Sequence, residues 1–240
     1  MAKIFLSMPI LDRPEMDCIN SMISASHESK HDVHLNTMQN NAVISYVRNH
    51  DISLFINRFE EYDYFATLDS DLIVNNWRKG DNYFDKLVDH DEDFVGALYS
   101  KKEEGNILQG LPLYVKDLEP KHDTGLINMR WMAGGAWLIK RSAIMKLHRA
   151  YPGLTCTGDR CTNGLPMYAL NTPGVFDVGK DENGVEITKF LGDDWSMCER
   201  FNLIGGSIYA DTSIRLGHVG KKIYNLWEEN DEQSCNNNGV

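Results

Sequence analysis

Two carboxylates spaced two residues apart, Asp69 and Asp71, directly follow an apolar, strand-like run over residues 62–68. Side chains alternate along a strand, so the outer residues of Asp-Ser-Asp point the same way and can reach one divalent cation or one polar ligand. Hard oxygen donors of this kind suit Mg²⁺ or Mn²⁺ with a phosphate bound alongside. An acidic turn after a strand is the alternative. A calcium-binding EF-hand is excluded, because Ile73 and Val74 stand where that loop needs an oxygen ligand and a glycine.

Three other places in the chain carry side chains suited to the same chemistry. Asp193 and Asp194 follow Gly192 at the start of a helical pattern, where capping and the helix dipole favour carboxylates. Two adjacent acids exceed what capping requires, so a catalytic carboxylate is the competing interpretation. His218, flanked by glycines, is either a packed core histidine or a metal ligand. Arg48 is either a surface cation or a bidentate partner for phosphate.

The elements that must position these side chains alternate between strand and helix in the first half of the chain. Apolar spacing predicts strands over residues 3–8, 31–35 and 62–68, and helices over residues 14–24 and 40–59. This alternation implies parallel β-α-β units with right-handed crossovers. Ligands bind such sheets beyond the carboxyl ends of the strands. We therefore expect Pro9, at the end of the first strand, to meet Asp69 and Asp71 in one crevice.

The second half of the chain is less regular. Its pattern predicts strands over residues 93–99 and 206–211, and helices over residues 141–149 and 193–203. The pair Gly134 and Gly135 lies inside an apolar run and indicates a bulge or a close approach of a ligand. Residues 151–186 are rich in Gly, Pro, Asn and Asp, which predicts a long loop of the kind that often forms a lid or a recognition surface.

Composition limits the class of protein. The chain has 240 residues, 42% of them hydrophobic and 25% charged, as in ordinary globular domains. A formal net charge of -11 opposes non-specific binding to nucleic acid and to anionic membranes. We expect no membrane span and no signal peptide, and the odd number of scattered cysteines favours a reducing, cytoplasmic location. Cys156 and Cys161 bracket a short loop and could form a disulfide or a zinc half-site.

The order of these motifs along the chain resembles the GT-A fold glycosyltransferases of the DxD type, similar to glycosyltransferase family 2. The matching segments are Pro9 and residues 48–49, 68–71, 95–101, 133–139, 192–198, 205–211 and 216–220. Each motif is weak alone, but their joint order over residues 3–225 is specific. The resemblance implies an α/β fold with a mostly parallel central sheet flanked by helices.

The same resemblance implies an organisation of the chain and a role for each matching residue. Residues 1–240 would form a single domain, with a nucleotide-binding half over 1–100, an acceptor and catalytic half over 101–225 and a polar tail over 226–240. The implied metal ligands are Asp69, Asp71 and His218, and the implied catalytic acids are Asp194, as general base, and Asp193, which replaces the family's Glu. The implied donor-binding residues are Pro9, Arg48, Asp69, Lys101, Gly134 and Gly135.

The activity implied is transfer of a sugar from a UDP- or GDP-sugar to an acceptor hydroxyl with Mn²⁺ or Mg²⁺. Inversion at the sugar carbon is favoured because Asp194 matches the base position, and retention is the alternative. The acceptor would be a glycan, a glycoprotein or another hydroxyl compound, and the acidic charge disfavours nucleic acid. Small stand-alone enzymes of this kind occur in bacteria, in large DNA viruses and in phages. A sugar nucleotidyltransferase is one alternative, but residues 8–14 lack the glycine-rich loop it needs. A non-catalytic nucleotide- or carbohydrate-binding module is the other.

Overall fold

The computed structural model describes residues 1–74, 81–102, 110–112, 125–157, 163–220 and 223–225. The helices in these segments are α1 (Met16–Glu28), α2 (Ile44–Arg58), α3 (Tyr83–Asp89), α4 (Arg141–Ala150) and α5 (Asp193–Leu203). The strands are β1 (Lys3–Ile10), β2 (Asp32–Gln39), β3 (Tyr64–Leu68), β4 (Leu72–Val74), β5 (Phe94–Ala97), β6 (Gly110–Pro112), β7 (Leu126–Met132), β8 (Ala136–Lys140), β9 (Thr155–Cys156), β10 (Met167–Tyr168), β11 (Gly174–Lys180), β12 (Glu186–Leu191), β13 (Ile208–Asp211), β14 (Leu216–Val219) and β15 (Ile223–Asn225).

An eight-stranded sheet in the order β2-β1-β3-β8-β5-β13-β7-β6 forms the centre of the described part of the chain. The pairings β1–β2, β1–β3 and β5–β13 are parallel, whereas β7 and β8 run antiparallel to all their neighbours. Six of the eight strands therefore point in one direction. This confirms the predicted fold class, an α/β fold with a mostly parallel central sheet flanked by helices.

The sheet is covered by helices on both faces. One apolar cluster joins the sheet to α2, α4 and α5 through residues such as Phe55, Ile144 and Phe201, none of which is exposed to solvent. A second cluster joins the opposite face to α1 and α3 through residues such as Met22 and Phe84. Among the described helices, none is both long and apolar enough to cross a membrane.

Two elements of the first half differ from their predicted bounds for identifiable reasons. Strand β1 continues past Pro9, where it pairs with β2, whereas its pairing with β3 stops at Ser7. Pro9 thus lies where one side of the strand has no partner in β3, the position in which its missing N–H is tolerated. Helix α2 begins at Ile44 rather than near residue 40, because Asn40 has a φ of 60° and the Asn41 side chain accepts a hydrogen bond from the Val43 N–H.

The prediction of a loop over residues 151–186 is wrong for much of that segment. Strands β9 and β10 form a short antiparallel pair, and β11 forms an antiparallel ribbon with β12 that ends close to α5. Half-buried and exposed side chains alternate along β11, which is the period of a strand. The Gly and Asn residues mark the turns between these short strands. Residues 158–162, including Cys161, lie outside the described segments, as does the predicted polar tail; Cys156 is an exposed free thiol.

Candidate functional site

A small antiparallel sheet brings Asp71 and His218 together. The chain leaves β3, makes the Asp-Ser-Asp turn and enters β4, which pairs with β14 so that Leu72 lies opposite His218. The Val219 N–H donates to the Asp71 carbonyl oxygen at 2.8 Å and fixes this register. As a result, His218 Nε2 lies 3.6 Å from Asp71 Oδ2. Segments almost 150 residues apart in sequence thus meet at the carboxyl end of β3.

The hydrogen bond on the far side of the imidazole determines which nitrogen faces the carboxylate. His218 Nδ1 lies 2.7 Å from the Ser100 carbonyl oxygen, which can only accept, so Nδ1 carries a proton. Tyr99 packs edge-on against the imidazole with ring centroids 5.2 Å apart. With Nδ1 occupied in this way, Nε2 faces Asp71 and is the nitrogen that could ligate a metal, as in metal-binding histidines whose other nitrogen donates to a carbonyl oxygen.

Asp71 is an ionised carboxylate with one oxygen in use and one without a partner. Its Oδ2 accepts from Lys102 Nζ at 2.6 Å and faces His218, whereas Oδ1 is buried with no hydrogen-bond partner among the described residues. Burial alone would raise the pKa of Asp71. The nearby His218 imidazole and the Lys102 ammonium outweigh it and lower that pKa to about 2. Asp71 therefore stays charged at neutral pH.

Asp69 faces away from this pair and towards Arg48 of α2. Arg48 Nη2 lies 3.1 Å from Asp69 Oδ1, and Nη1 lies 3.5 Å from Asp193 Oδ2. Burial favours loss of the guanidinium charge, but the carboxylates of Asp69, Asp193 and Asp194 outweigh it and raise the pKa of Arg48. Since Arg48 is only 4% exposed, it is a fixed cation that joins the end of β3 to the start of α5.

Buried polar contacts hold α2 so that Arg48 reaches these acids. One helical turn after Arg48, the fully buried Asp51 accepts from Ser7 Oγ of β1 at 2.5 Å and from Asn36 Nδ2 of β2 at 2.9 Å. Asn49 Nδ2 donates to the Asn171 carbonyl oxygen at 3.0 Å. The helix is thereby fixed to the sheet on one side and to the segment before β11 on the other.

Asp194 lies at the start of α5 with both carboxylate oxygens engaged by backbone amides. Oδ2 accepts from the Gly134 N–H at 3.1 Å, and Oδ1 accepts from the Trp195 N–H at 2.8 Å. Burial raises the pKa of Asp194; Arg48 opposes this, the charge of Asp193 adds to it, and the net shift is upward. Asp194 is thus a better proton acceptor than an ordinary aspartate.

Close packing explains the two glycines between β7 and β8. The Gly135 N–H donates to Tyr99 Oη at 3.1 Å, and its carbonyl oxygen accepts from the Asp69 N–H at 2.9 Å. A Cβ on Gly135 would lie 2.5 Å from Tyr99 Oη and 2.6 Å from Asp69 Oδ2, and one on Gly134 would overlap the Arg48 guanidinium. Only glycine allows the acids and the arginine to approach this backbone.

A cleft of about 220 Å³ opens beside the Asp-Ser-Asp turn. Pro9 from the end of β1 lies on its wall together with both acids, as the parallel-sheet argument predicted. The remaining lining comes from Ser70 between the two acids, from Leu11 directly after β1, from the turn before α2 and from the first residue of that helix. The cleft is lined by Pro9, Leu11, Asn41, Ala42, Ile44, Asp69, Ser70 and Asp71.

The sequence pointed to most members of this site but missed two contacts. Lys101 is exposed, and its neighbour Lys102 makes the ion pair with Asp71. The hydroxyl of Tyr99 holds Gly135 and was not singled out, although both lie in motifs that the resemblance covers. A charged turn containing adjacent lysines was the signal for Lys102, but the sequence does not tell which of the two faces inwards.

The residues fit a divalent cation through two donors rather than three. Within the described segments, no group of three or more His, Cys, Asp or Glu side chains is arranged around a common metal position. Asp71 Oδ2 and His218 Nε2, 3.6 Å apart, nevertheless form a donor set suited to Mn²⁺ or Mg²⁺, and the buried Asp71 Oδ1 has no hydrogen-bond partner among the described residues. Asp69 belongs instead to the Arg48 ion pair. Such a cation would complete its coordination with phosphate oxygens and water.

Comparisons with known proteins reveal similarity in structure alone. No protein-family model and no curated protein sequence matches the chain. The structure of A197 from STIV matches 98% of this chain and 100% of its own with a TM-score of 0.55 at 13% identity, which shows a shared fold. A glycosyltransferase involved in the glycosylation of the major capsid of PBCV-1 matches 63% of this chain and 66% of its own at TM-score 0.37 and 12% identity. GalNAc-T7, solved with UDP, GalNAc and Mn²⁺, matches 90% of this chain and 43% of its own at TM-score 0.48 and 11% identity.

Proposed function

We propose that the protein is a GT-A type glycosyltransferase that moves a sugar from a UDP- or GDP-sugar to an acceptor hydroxyl. One observation carries the proposal. At the carboxyl end of β3, the ionised carboxylate of Asp71 and the imidazole of His218 adjoin a cluster that contains Asp194, a carboxylate with a raised pKa. Transfer from a nucleotide sugar needs both parts, because the leaving diphosphate requires a compensating charge and the acceptor hydroxyl requires a base.

On the donor side, Asp71 and His218 are the residues that would hold Mn²⁺ or Mg²⁺. When bound, such a cation would neutralise the charge that develops on the leaving diphosphate. Asp69 is fixed by Arg48 beside the cleft and is suited to accept hydrogen bonds from ribose or sugar hydroxyls. Pro9 supplies an apolar wall of the cleft, and the exposed Lys101 is proposed to contact the nucleotide.

On the acceptor side, Asp194 is the proposed general base. Its carboxylate would take the proton of the acceptor hydroxyl while the hydroxyl oxygen forms a bond to the sugar carbon. The bond from that carbon to the diphosphate oxygen breaks at the same time, and the diphosphate leaves with the electron pair. Attack opposite the leaving group inverts the sugar carbon. The Gly134 and Trp195 N–H groups hold the Asp194 carboxylate in place, and the neighbouring charge of Asp193 raises its pKa and so adds to its basicity.

The acceptor is proposed to be a glycan or glycoprotein hydroxyl. Residues 151–186, together with the rest of the ribbon of β11 and β12, are proposed to select it. The ribbon ends at Leu191, and Gly192 alone separates it from Asp193 at the start of α5. Cys18, Cys156 and Cys198 are free thiols, which agrees with action in a reducing compartment such as the cytoplasm. The net charge of -11 disfavours nucleic acid as the acceptor.

A panel of UDP- and GDP-sugars, incubated with Mn²⁺ in the presence or absence of EDTA, tests this function by nucleotide release. We expect release from at least one donor, its loss with EDTA and its loss in Asp71→Ala. Asp194→Asn should still bind the donor but should not transfer to an added acceptor. If no donor is bound or hydrolysed by the wild-type protein, the transferase proposal fails and a binding module without nucleotide-sugar chemistry becomes the better account.

A further inference from the structure

One short segment after β5 contacts both members of the proposed metal-binding pair. The Ser100 carbonyl oxygen accepts from His218 Nδ1 at 2.7 Å, and two residues later Lys102 Nζ lies 2.6 Å from Asp71 Oδ2. The first contact orients the imidazole. The second places the positively charged Lys102 ammonium against the Asp71 carboxylate, the group that would bind a metal cation.

Lys102 and a metal would depend on the same carboxylate. Asp71 Oδ2 faces Lys102 Nζ at 2.6 Å and His218 Nε2 at 3.6 Å, so the ammonium lies next to the place where a carboxylate oxygen and an imidazole nitrogen would share an ion. Two cations on one carboxylate repel each other, since like charges a few ångströms apart interact strongly in a partly buried site.

The two cationic side chains of the site differ in their freedom to move. The Arg48 side chain is 5% exposed and is held between Asp69 and Asp193. The Lys102 side chain is 39% exposed and has a flexible aliphatic stem, so it can withdraw into solvent at small cost. A metal that binds at Asp71 would therefore displace the Lys102 ammonium, whereas Arg48 would stay in place.

We propose that Lys102 is a built-in counter-cation of Asp71 that competes with a divalent metal for this carboxylate and so sets the metal affinity of the site. The proposal rests on the proposed function only for the expectation that a divalent metal binds at Asp71. In the metal-free protein Lys102 balances the charge of Asp71. Metal binding requires the ammonium to leave Oδ2.

Equilibrium binding of Mn²⁺ to the full chain, followed by the electron paramagnetic resonance signal of free Mn²⁺, tests this competition. Lys102→Met should bind Mn²⁺ at least roughly threefold more tightly than wild type, because it removes the competitor and keeps the ligands. Asp71→Asn should bind it much more weakly. Lys30→Met is the matched control, because it also deletes a lysine that pairs with an aspartate, Asp89, at 2.7 Å. Its Mn²⁺ affinity should equal that of wild type.

Equal or weaker Mn²⁺ binding by Lys102→Met would overturn the proposal, as would the absence of Mn²⁺ binding in every variant. Donor hydrolysis, measured on the same preparations, separates this outcome from failure of the proposed function. A wild-type protein that hydrolyses a sugar nucleotide while Lys102→Met leaves Mn²⁺ affinity unchanged is a transferase without this competition. Tighter Mn²⁺ binding without binding of any sugar nucleotide would support the competition and contradict the transferase.

Discussion

The pKa of Asp194 lies above that of an ordinary aspartate, and this basicity has a physical origin. Burial removes water from the carboxylate, and the neighbouring charge of Asp193 adds to the cost of ionisation. Arg48 limits this effect, so that the group remains ionisable. Such a balance is typical of carboxylates that act as bases near neutral pH.

The pH dependence of transfer should report this balance. Asp194 must lose its proton to act as a base, so kcat/KM should rise as the pH passes through the pKa of Asp194 in the folded protein. That pKa is raised, so the acidic limb should lie above about 3.9, the value of an unperturbed aspartate. Steady-state rates measured across acidic pH check this. An acidic limb at or below the ordinary value, or the same limb in the residual rate of Asp194→Asn, would contradict the assignment.

Arg48 should matter for stability as much as for binding. Arg48→Met leaves Asp69, Asp193 and Asp194 without their shared cation, and breaking a buried ion pair typically costs about 3–5 kcal/mol. We expect that decrease in the free energy of unfolding at pH 7, and a smaller one at lower pH where the carboxylates take up protons. Urea denaturation measures both.

The matched control for this variant lies on the same helix. Arg58 is exposed in the last turn of α2, and Arg58→Met should change the free energy of unfolding by less than about 0.5 kcal/mol. If Arg48→Met and Arg58→Met prove equally stable, Arg48 does not hold the acids together in the way that we describe.

At the scale of elements, the connection between β7 and β8 is the part of the fold that the site depends on most. These strands are separated by three residues in sequence, yet β8 lies between β3 and β5 whereas β7 lies between β13 and β6. Thr67 Oγ1 of β3 donates to the Gly134 carbonyl oxygen at 2.7 Å and anchors the connection. The backbone at Gly134 and Gly135 thereby touches Arg48, Asp69 and Asp194.

Gly135→Ala tests this close approach. The added Cβ would lie 2.5 Å from Tyr99 Oη and 2.6 Å from Asp69 Oδ2, so one of these groups must move. We expect a loss of roughly 1–3 kcal/mol in the free energy of unfolding together with weaker donor binding. Gly153→Ala is the control, because nothing lies within 4 Å of the added methyl group. Calorimetry that finds both variants alike would show that the glycine is not needed for packing.

The ribbon of β11 and β12 carries an exposed apolar pair close to the proposed base. Val175 and Phe190 lie directly opposite each other and are 71% and 73% exposed. Exposed apolar groups that cluster mark interaction surfaces. Phe190→Ser should therefore lower kcat/KM for the acceptor while donor hydrolysis continues. Val185→Ser, 61% exposed but at the turn of the ribbon away from α5, is the control. Equal acceptor kinetics in all three proteins would remove the ribbon from acceptor binding.

How far the sequence predicts each element depends on the length of its pattern. The helix predicted over residues 193–203 has the bounds of α5, because eleven residues show a complete apolar stripe. Strand β4 has three residues, too few to show a period, and neither β4 nor β14 was predicted. Yet it is their pairing that brings His218 to Asp71.

In the candidate site, too, some features could be predicted from the sequence and others could not. The acids could be named from residue type and position, because strand ends and helix starts are visible in the sequence, and the histidine could be named from the glycines that flank it. Contacts between distant segments could not, because they depend on sheet order and on side-chain direction. Asp69 pairs with Arg48 instead of joining Asp71, and Lys102 rather than Lys101 reaches the carboxylate. Both facts follow from tertiary packing alone.

Viewed as a whole molecule, the chain is an acidic protein that we propose binds an anionic ligand. Its formal net charge is -11, and the acids Asp69, Asp71, Asp193 and Asp194 outnumber the two cations that pair with them, Arg48 and Lys102. A nucleotide diphosphate would be repelled unless a further positive charge enters with it. Nucleotide binding should therefore depend on a divalent metal. The fold it shares with A197 does not by itself determine this chemistry, which resides in the site.

Diffraction from crystals soaked in Mn²⁺ with UDP or GDP tests the central claim most directly, because the anomalous signal of manganese locates the ion. We predict a manganese peak next to the Asp71 carboxylate and His218 Nε2. The diphosphate should lie between this ion and the start of α5, where Asp194 is located. A nucleotide bound elsewhere on the protein, or a manganese ion remote from both side chains, would contradict the account.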